Sequence, residues 1–222
     1  MMYNGIKIEF LRSEQEKMDY AFSSLIGYAL GCISPSYILS RAKNVDIRKS
    51  GTKNLGASNT FIHFGRFWGI FVMLFDILKA FFAVKICTLL FPRAVYGGLA
   101  AGCAAVIGHN YPAFLKFKGG KGLASFGGLV LGISPMMFLS LLILSLTIAL
   151  IINYGCVVAL AASVLFPIIV GIHYGSPIPL LIALICSVSV FYKHSKNIGR
   201  IRRGEEIKLT YFIKRYVAKK SK

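Results

Sequence analysis

Carboxylates are what this chain of 222 residues has least of: eight Asp and Glu stand against 26 Lys and Arg, a formal net charge of +18. Where the basic residues gather, only Asp46, Glu205 and Glu206 are acidic. That is too few oxygen ligands for a two-carboxylate hydrolase or a Mg2+-dependent phosphotransferase. There is no CxxC pair and no Cys/His group at metal-ligand spacing; Cys32, Cys87, Cys103, Cys156 and Cys186 all lie in apolar segments and read as small packing residues. No metal and no cofactor is therefore expected. GxxxxGK[ST] is absent, so ATP is not implied. No internal repeat or low-complexity linker divides the chain, which points to one membrane domain. No charged-then-apolar leader with a cleavage site precedes it, so no removable signal peptide is expected.

What is abundant is apolar: 56% of residues are hydrophobic and the mean hydropathy is +0.66, more than a soluble domain of this length carries. Crossing the hydrocarbon takes roughly 20 apolar residues as a helix, and candidate spans fall near 20–40, 67–91, 94–114, 123–134, 136–152, 156–173 and 178–192. Joining the fourth and fifth would give a helix of about 45 Å, too long for a core of about 30 Å. Ser134-Pro135 is also a natural break. Basic residues collect in 41–66, 115–122 and 193–222, which should share the cytoplasmic side. An even number of crossings then separates the second loop from the tail. The expectation is an all-α integral membrane protein with seven transmembrane helices, N-terminus outside, C-terminus cytoplasmic, and re-entrant or interfacial cytoplasmic loops. Residues 1–19 form a slightly acidic extracytoplasmic segment, 20–192 the membrane domain and 193–222 a basic cytoplasmic tail. One-sided charge of this kind suits anionic lipid headgroups and phosphorylated substrates; nucleic acid is not expected as a partner.

Three polar clusters interrupt the apolar pattern. The first, GCISPSYILSRAKNVDIRKSGTKNLGASNTFIHFGR, runs from Gly31 to Arg66. Ser34, Pro35 and Ser36 break the end of the first span, and the remainder is too rich in turn formers to cross. Arg48 offers a planar fork for phosphate, while Asn54, Ser58 and Asn59 offer neutral hydrogen bonds. A solvated basic loop would account for Arg41, Lys43 and Lys49. The second, HNYPAFLKFKGGKG, sets Lys116, Lys118 and Lys121 among Gly119, Gly120 and Gly122. Such a turn either joins two helices or gathers backbone N–H groups into an anion nest poised at the membrane surface. His109 either binds there or caps a helix carbonyl. The third, YKHSKNIGRIRRGEE, puts His194 and Asn197 at i, i+3, on one face if the helix continues. Arg200, Arg202, Arg203, Lys214, Lys219 and Lys220 read as a surface tail, with Leu209, Phe212, Tyr216 and Val217 dipping into the interface. Asp76 and Lys79, mid-span at i, i+3, form a structural ion pair by default, and buried intramembrane charge also marks sites.

Acyl transfer to a polyol phosphate is consistent with these groups, although the HxxxxD pair of thioester-using acyltransferases is missing: Trp68, Phe114, Ile178 and Gly199 stand five residues after the four histidines. The order of GCISPSYIL, VDIRKSGTKNLGASN, DILKA, GHNYPAFLKFKGGKGLAS and HSKNI with RRGEE resembles the acyl-phosphate-dependent glycerol-3-phosphate acyltransferases of bacteria. The similarity covers nearly all of the chain after residue 20. It implies transfer of a fatty acyl group from acyl phosphate to the 1-hydroxyl of glycerol 3-phosphate, giving lysophosphatidic acid and phosphate. It also implies a bacterial cell-membrane location with a cytoplasmic-facing site, membrane lipids as surroundings, and the enzyme that supplies acyl phosphate as a partner. By that resemblance Arg48 supports catalysis together with a serine; the family's GSIPF reads GCISP here, so Cys32 occupies the serine position and Ser34 or Ser36 must serve. Gly119, Gly120, Lys121 and Gly122, with Lys118, would hold the glycerol phosphate, and His194 and Asn197 are the third motif's histidine and asparagine. Lys53 stands where a glycine is usual, and Ser195 and Lys196 replace an arginine and a glutamate. A non-enzymatic transporter of an organic phosphate or lipid is the competing class; no paired inverted halves favour it.

Overall fold

The computed structural model describes residues 2–214, so Tyr216, Val217, Lys219 and Lys220 of the expected tail lie outside the described residues. Among the described residues eleven α-helices follow one another: α1 (Met2–Cys32), α2 (Pro35–Ala42), α3 (Ala57–Phe64), α4 (Arg66–Leu90), α5 (Gly97–Asn110), α6 (Leu123–Ile133), α7 (Pro135–Ile152), α8 (Val157–Tyr174), α9 (Pro177–Lys193), α10 (Ser195–Arg202) and α11 (Leu209–Phe212). Short 310 turns cover Ile47–Lys49 and Ala113–Leu115. No strand forms among the described residues; a single bridge pairs Tyr154 with Lys208.

Helix ends fall where the sequence chemistry sets them. Ser34 caps α2, its hydroxyl accepting from the Tyr37 N–H at 3.3 Å, and Pro35 fills the first helical position, where no N–H is needed. Ser134 is extended and separates the 11 residues of α6 from α7, which opens on Pro135. Each apolar segment read from the sequence contains a helix. The Leu11–Ala42 stretch, α7 and α8 are each long and apolar enough to cross a membrane, and α9 with α10 passes the same test as a pair bent by 45°. Helix α1 does not break at residue 19: the polar segment is a helical continuation of the first apolar run.

Packing divides the chain into two compact units, one up to Pro135 and one from Met136 onward. In the first, α1 lies along α5, and α4 packs on both α5 and α6. The seam is made of small residues: Ala80, Ala83 and Cys87 of α4 meet Ala101 and Ala105 of α5 in a fully buried cluster. Gly27 and Gly31 of α1 press directly on the backbone of Ala101 and Ala105. Helices in lipid gain little from burying apolar surface against each other, so close backbone approach through small residues supplies the attraction instead. In the second unit α8 packs on α9, and α10 follows α9 after the bend.

A Cβ added at Gly31 would overlap the Ala105 carbonyl, which is helix backbone and cannot step aside. Gly31→Ala should therefore lower stability by about 1–3 kcal/mol, read as a drop in the thermal unfolding midpoint of the purified protein in detergent. An unchanged midpoint would mean that α1 and α5 are not in backbone contact there.

Candidate active site

The loop between α2 and α3 is held by its own side chains. Asn59, fully buried on α3, accepts from the Thr52 N–H at 2.8 Å and donates through Nδ2 to the Ile47 carbonyl at 2.6 Å. Ser36 and Thr60 share a buried hydroxyl contact of 2.9 Å. His63 contacts the Asn59 carbonyl through Nδ1 at 2.9 Å and Ser50 Oγ through Nε2 at 2.7 Å, and Ser40 Oγ donates to the Val45 carbonyl. Asn59, expected as a substrate ligand, staples the loop through one bond at each end of its amide. The Ser36 hydroxyl is likewise engaged with Thr60. Ser34 is buried as the cap of α2. Asn54 is half-buried, while Ser58 and Lys53 are exposed.

Arg48 does not present an empty fork. Its Nε and Nη2 donate to the Asp46 carboxylate at 2.8 and 3.0 Å, and the same carboxylate caps the Ile47–Lys49 turn by accepting from the Arg48 N–H at 3.1 Å. The guanidinium bonds hold the Asp46 carboxyl down at about 2. A depressed carboxyl pKa contributes stability above the unfolded value of about 3.9 and loses it as pH falls through the folded one; the pair is complete at neutral pH. Of the five guanidinium N–H groups two are engaged with the carboxylate, leaving three. Arg48 and Asp46 line a cleft of about 210 Å³ together with Tyr37, Ser40, Arg41 and Asn44.

The glycine loop differs from an open nest. Gly119 N–H donates to the Asn110 carbonyl at 3.2 Å and Gly120 N–H to the His109 carbonyl at 3.0 Å. These are two of the carbonyls that the end of α5 leaves unpaired, so the loop caps α5. The expected convergence of the Gly119 and Gly120 amides on an anion is thereby corrected: both donors are occupied. Glycine is required at 120 for another reason, since a Cβ there would collide with Nε2 of His109 and with the Leu55 carbonyl. Gly122 caps α6 with φ 85°, next to the Asn110 side chain. Lys118 is exposed and Lys121 half-buried, and these side chains are what the loop offers to an anion.

Under the loop lies a cluster that the sequence showed only in part. Lys79 Nζ contacts Asp76 Oδ1 at 2.8 Å, donates to the Ile33 carbonyl at 2.7 Å, and lies 3.0 Å from Nδ1 of His109. All three side chains are buried. The ion pair expected from i, i+3 spacing exists, and its ammonium also ties the end of α1 to the end of α5. A buried core of Ile47, Leu55 and Leu115, with Tyr37 and Phe64 packed against it, joins the first polar loop to the 310 turn that precedes the lysines. Two of the three polar clusters therefore meet.

The third is built within the second unit. His194 stands at the bend, ending α9 and preceding α10, with Nδ1 2.8 Å from the Val190 carbonyl. His194 and Asn197 are both buried, at 4% and 3% exposure, but not on one straight helix. Asn197 Nδ2 donates to Glu206 at 2.8 Å, and Arg200 Nε bonds the other oxygen at 2.5 Å. Beyond Glu206, Asn153 clasps the chain: its carbonyl accepts from the Leu209 N–H at 2.9 Å and its side chain bonds Thr210.

The sequence profile of the family described as "Glycerol-3-phosphate acyltransferase" matches residues 21–204. The chain belongs to the glycerol-3-phosphate acyltransferase family. A relative of that name from Thermoanaerobacter sp. (strain X514) is 35% identical over 188 residues, covering 84% of this chain and 94% of the relative. Another, from Geobacillus kaustophilus (strain HTA426), is 37% identical over 193 residues, covering 86% and 96%. Two crystal structures of PlsY, an integral membrane glycerol 3-phosphate acyltransferase, are also similar. Its glycerol 3-phosphate form matches with TM-score 0.76 and 31% identity, its lysophosphatidic acid form with 0.73 and 30%, each over 85% of this chain and 94% of that one. This chain is accordingly a membrane-embedded acyltransferase of phospholipid synthesis.

Several polar partners of this acyltransferase were not singled out as site residues by sequence reasoning. Asp46 and Glu206 sit two and nine residues from the side chains they hold; a lone carboxylate beside a lone arginine was the available signal. Thr60 and the Leu55 carbonyl carried none. In this acyltransferase Gly120→Ala should act through His109: about 1–3 kcal/mol of overpacking and a raised KM for glycerol 3-phosphate, measured by unfolding and steady-state kinetics on one preparation. Wild-type values in both would remove the contact.

Proposed function

We propose that this acyltransferase moves a fatty acyl group from acyl phosphate to the 1-hydroxyl of glycerol 3-phosphate, giving lysophosphatidic acid and inorganic phosphate. The observation that carries the reading is the joining of the Arg48 turn to the lysine loop over Ile47, Leu55 and Leu115 in a chain of this family. Relatives of similar fold have been solved as a glycerol 3-phosphate form and a lysophosphatidic acid form. Family membership displaces the transporter alternative.

The reaction is written as attack of the glycerol hydroxyl on the acyl carbonyl, with the acyl–oxygen bond to phosphate breaking and the phosphate leaving with the electron pair. Arg48, through its three remaining N–H groups, with Lys118 and Lys121, neutralises the two phosphoryl groups and aligns the hydroxyl on the carbonyl. Proximity and charge compensation then supply most of the barrier reduction. The departing phosphate takes the hydroxyl proton. A good leaving group removes the need for a covalent serine or cysteine intermediate.

Topologically, the reading places all three basic clusters on the cytoplasmic face of a bacterial membrane, with seven crossings, the N-terminus outside and the C-terminus inside. Charge sidedness supports it. The enzyme that makes acyl phosphate is the natural supplier.

Purified protein in detergent, given radiolabelled acyl phosphate or acyl-CoA side by side with glycerol 3-phosphate, should form labelled lysophosphatidic acid from the first donor only. Turnover with acyl-CoA alone would reverse the donor assignment. Arg48→Ala should lower kcat/KM by about 100-fold or more, the scale of losing one well-placed charge contact; near-normal turnover would take Arg48 out of the site.

A further inference from the structure

Lys79 Nζ lies 3.0 Å from Nδ1 of His109, and a lysine ammonium has three protons and no lone pair, so it can only donate there. The ring nitrogen it meets must therefore be the accepting one. Asp76 Oδ1 lies 3.3 Å from the same Nδ1 and would call for a proton there, but the closer contact is with Lys79 at 3.0 Å. A neutral imidazole that accepts at Nδ1 carries its one proton at Nε2. That nitrogen abuts Gly120 inside the KGGKG loop, on a residue 7% exposed, with the Leu55 carbonyl against the same glycine. Any side chain at 120 would cover it.

We propose that Lys79 and Asp76 are positioning residues that lock His109 as the Nε2–H tautomer, so that the glycine loop presents one buried, uncharged N–H donor to a phosphoryl oxygen of the substrate. The lysines of the loop supply charge, which is tolerant of direction; this donor supplies direction. Gly119 and Gly120 N–H groups are engaged in capping α5, and His109 Nε2 takes the place they would have had. The ligand class, a phosphoryl anion, rests on the acyltransferase reading above; the tautomer does not.

The test is nitrogen NMR of protein carrying 15N-labelled histidine rings in detergent at pH 8, with the His109 signals identified by their loss in His109→Gln. The wild type should show an unprotonated Nδ1 and a protonated Nε2. Finding the proton on Nδ1 overturns the proposal whether or not the enzyme is active. Glycerol 3-phosphate and inorganic phosphate are added in separate arms. A shift of Nε2 with both identifies a general phosphoryl subsite and a shift with glycerol 3-phosphate alone identifies the acceptor substrate's; no shift with either overturns the ligand. In Lys79→Met the proton should move to Nδ1, toward Asp76, and KM for glycerol 3-phosphate should rise about tenfold or more with the KM for acyl phosphate unchanged. Should that variant fail to fold, the wild-type spectrum still decides. A locked tautomer in a protein that transfers no acyl group would overturn the acyltransferase reading and leave the device standing.

Discussion

One buried ammonium holds the first unit in register. Lys79 reaches from the middle of α4 to the carbonyl of Ile33, just past the end of α1, and to the ring of His109, in the last turn of α5. Both are C-terminal helix ends, where the backbone dipole concentrates negative charge and a cation is welcome. Asp76, one turn back on the same helix, compensates the charge. Burying such a pair contributes little net stability compared with an apolar core, whereas removing one partner costs about 3–5 kcal/mol. Its value is geometric. The break between α1 and α2, where Ser34 sits, and the His109 end of α5, on which the glycine loop rests, are referred to a single atom.

The scarcity of carboxylates acquires a meaning from their placement. Asp46 grips Arg48, Glu206 bridges Asn197 and Arg200, and Glu205 meets Arg203. Each acid in the polar loops is thus engaged with an arginine, which orients the basic group and removes the acid from proton-transfer chemistry. On the proposed reaction, positive charge and fixed hydrogen-bond donors are what these loops offer, a chemistry suited to a donor whose leaving group is already a good one.

Much of this was legible in the chain because its signals are local. Apolar runs and the Ser134-Pro135 break marked the helices, the i, i+3 spacing gave the Asp76–Lys79 pair, and turn formers marked 41–66 as a loop, although Ala57–Phe64 within it is helical. What was not legible is where hydrogen bonds point. Asn59 reads the same as a ligand or as a staple until Thr52 and Ile47 are seen at its two ends. Glycines at 119 and 120 serve equally to expose amides or to let a ring approach, and only the position of His109 separates the two. His194 and Asn197 share a helical spacing, yet a bend of 45° between α9 and α10 removes the straight helix that spacing assumes. The division at Pro135 likewise depends on long-range packing that no window of sequence contains.

Helix α6 is 11 residues long, a rise of about 16 Å and about half of a hydrocarbon core. A rod that short cannot touch both water layers unless lipid around it is compressed or its ends lie below the headgroups. The lysine-bearing turn before Leu123 and the Ser134 break after Ile133 are thus joined by a rod of half that thickness.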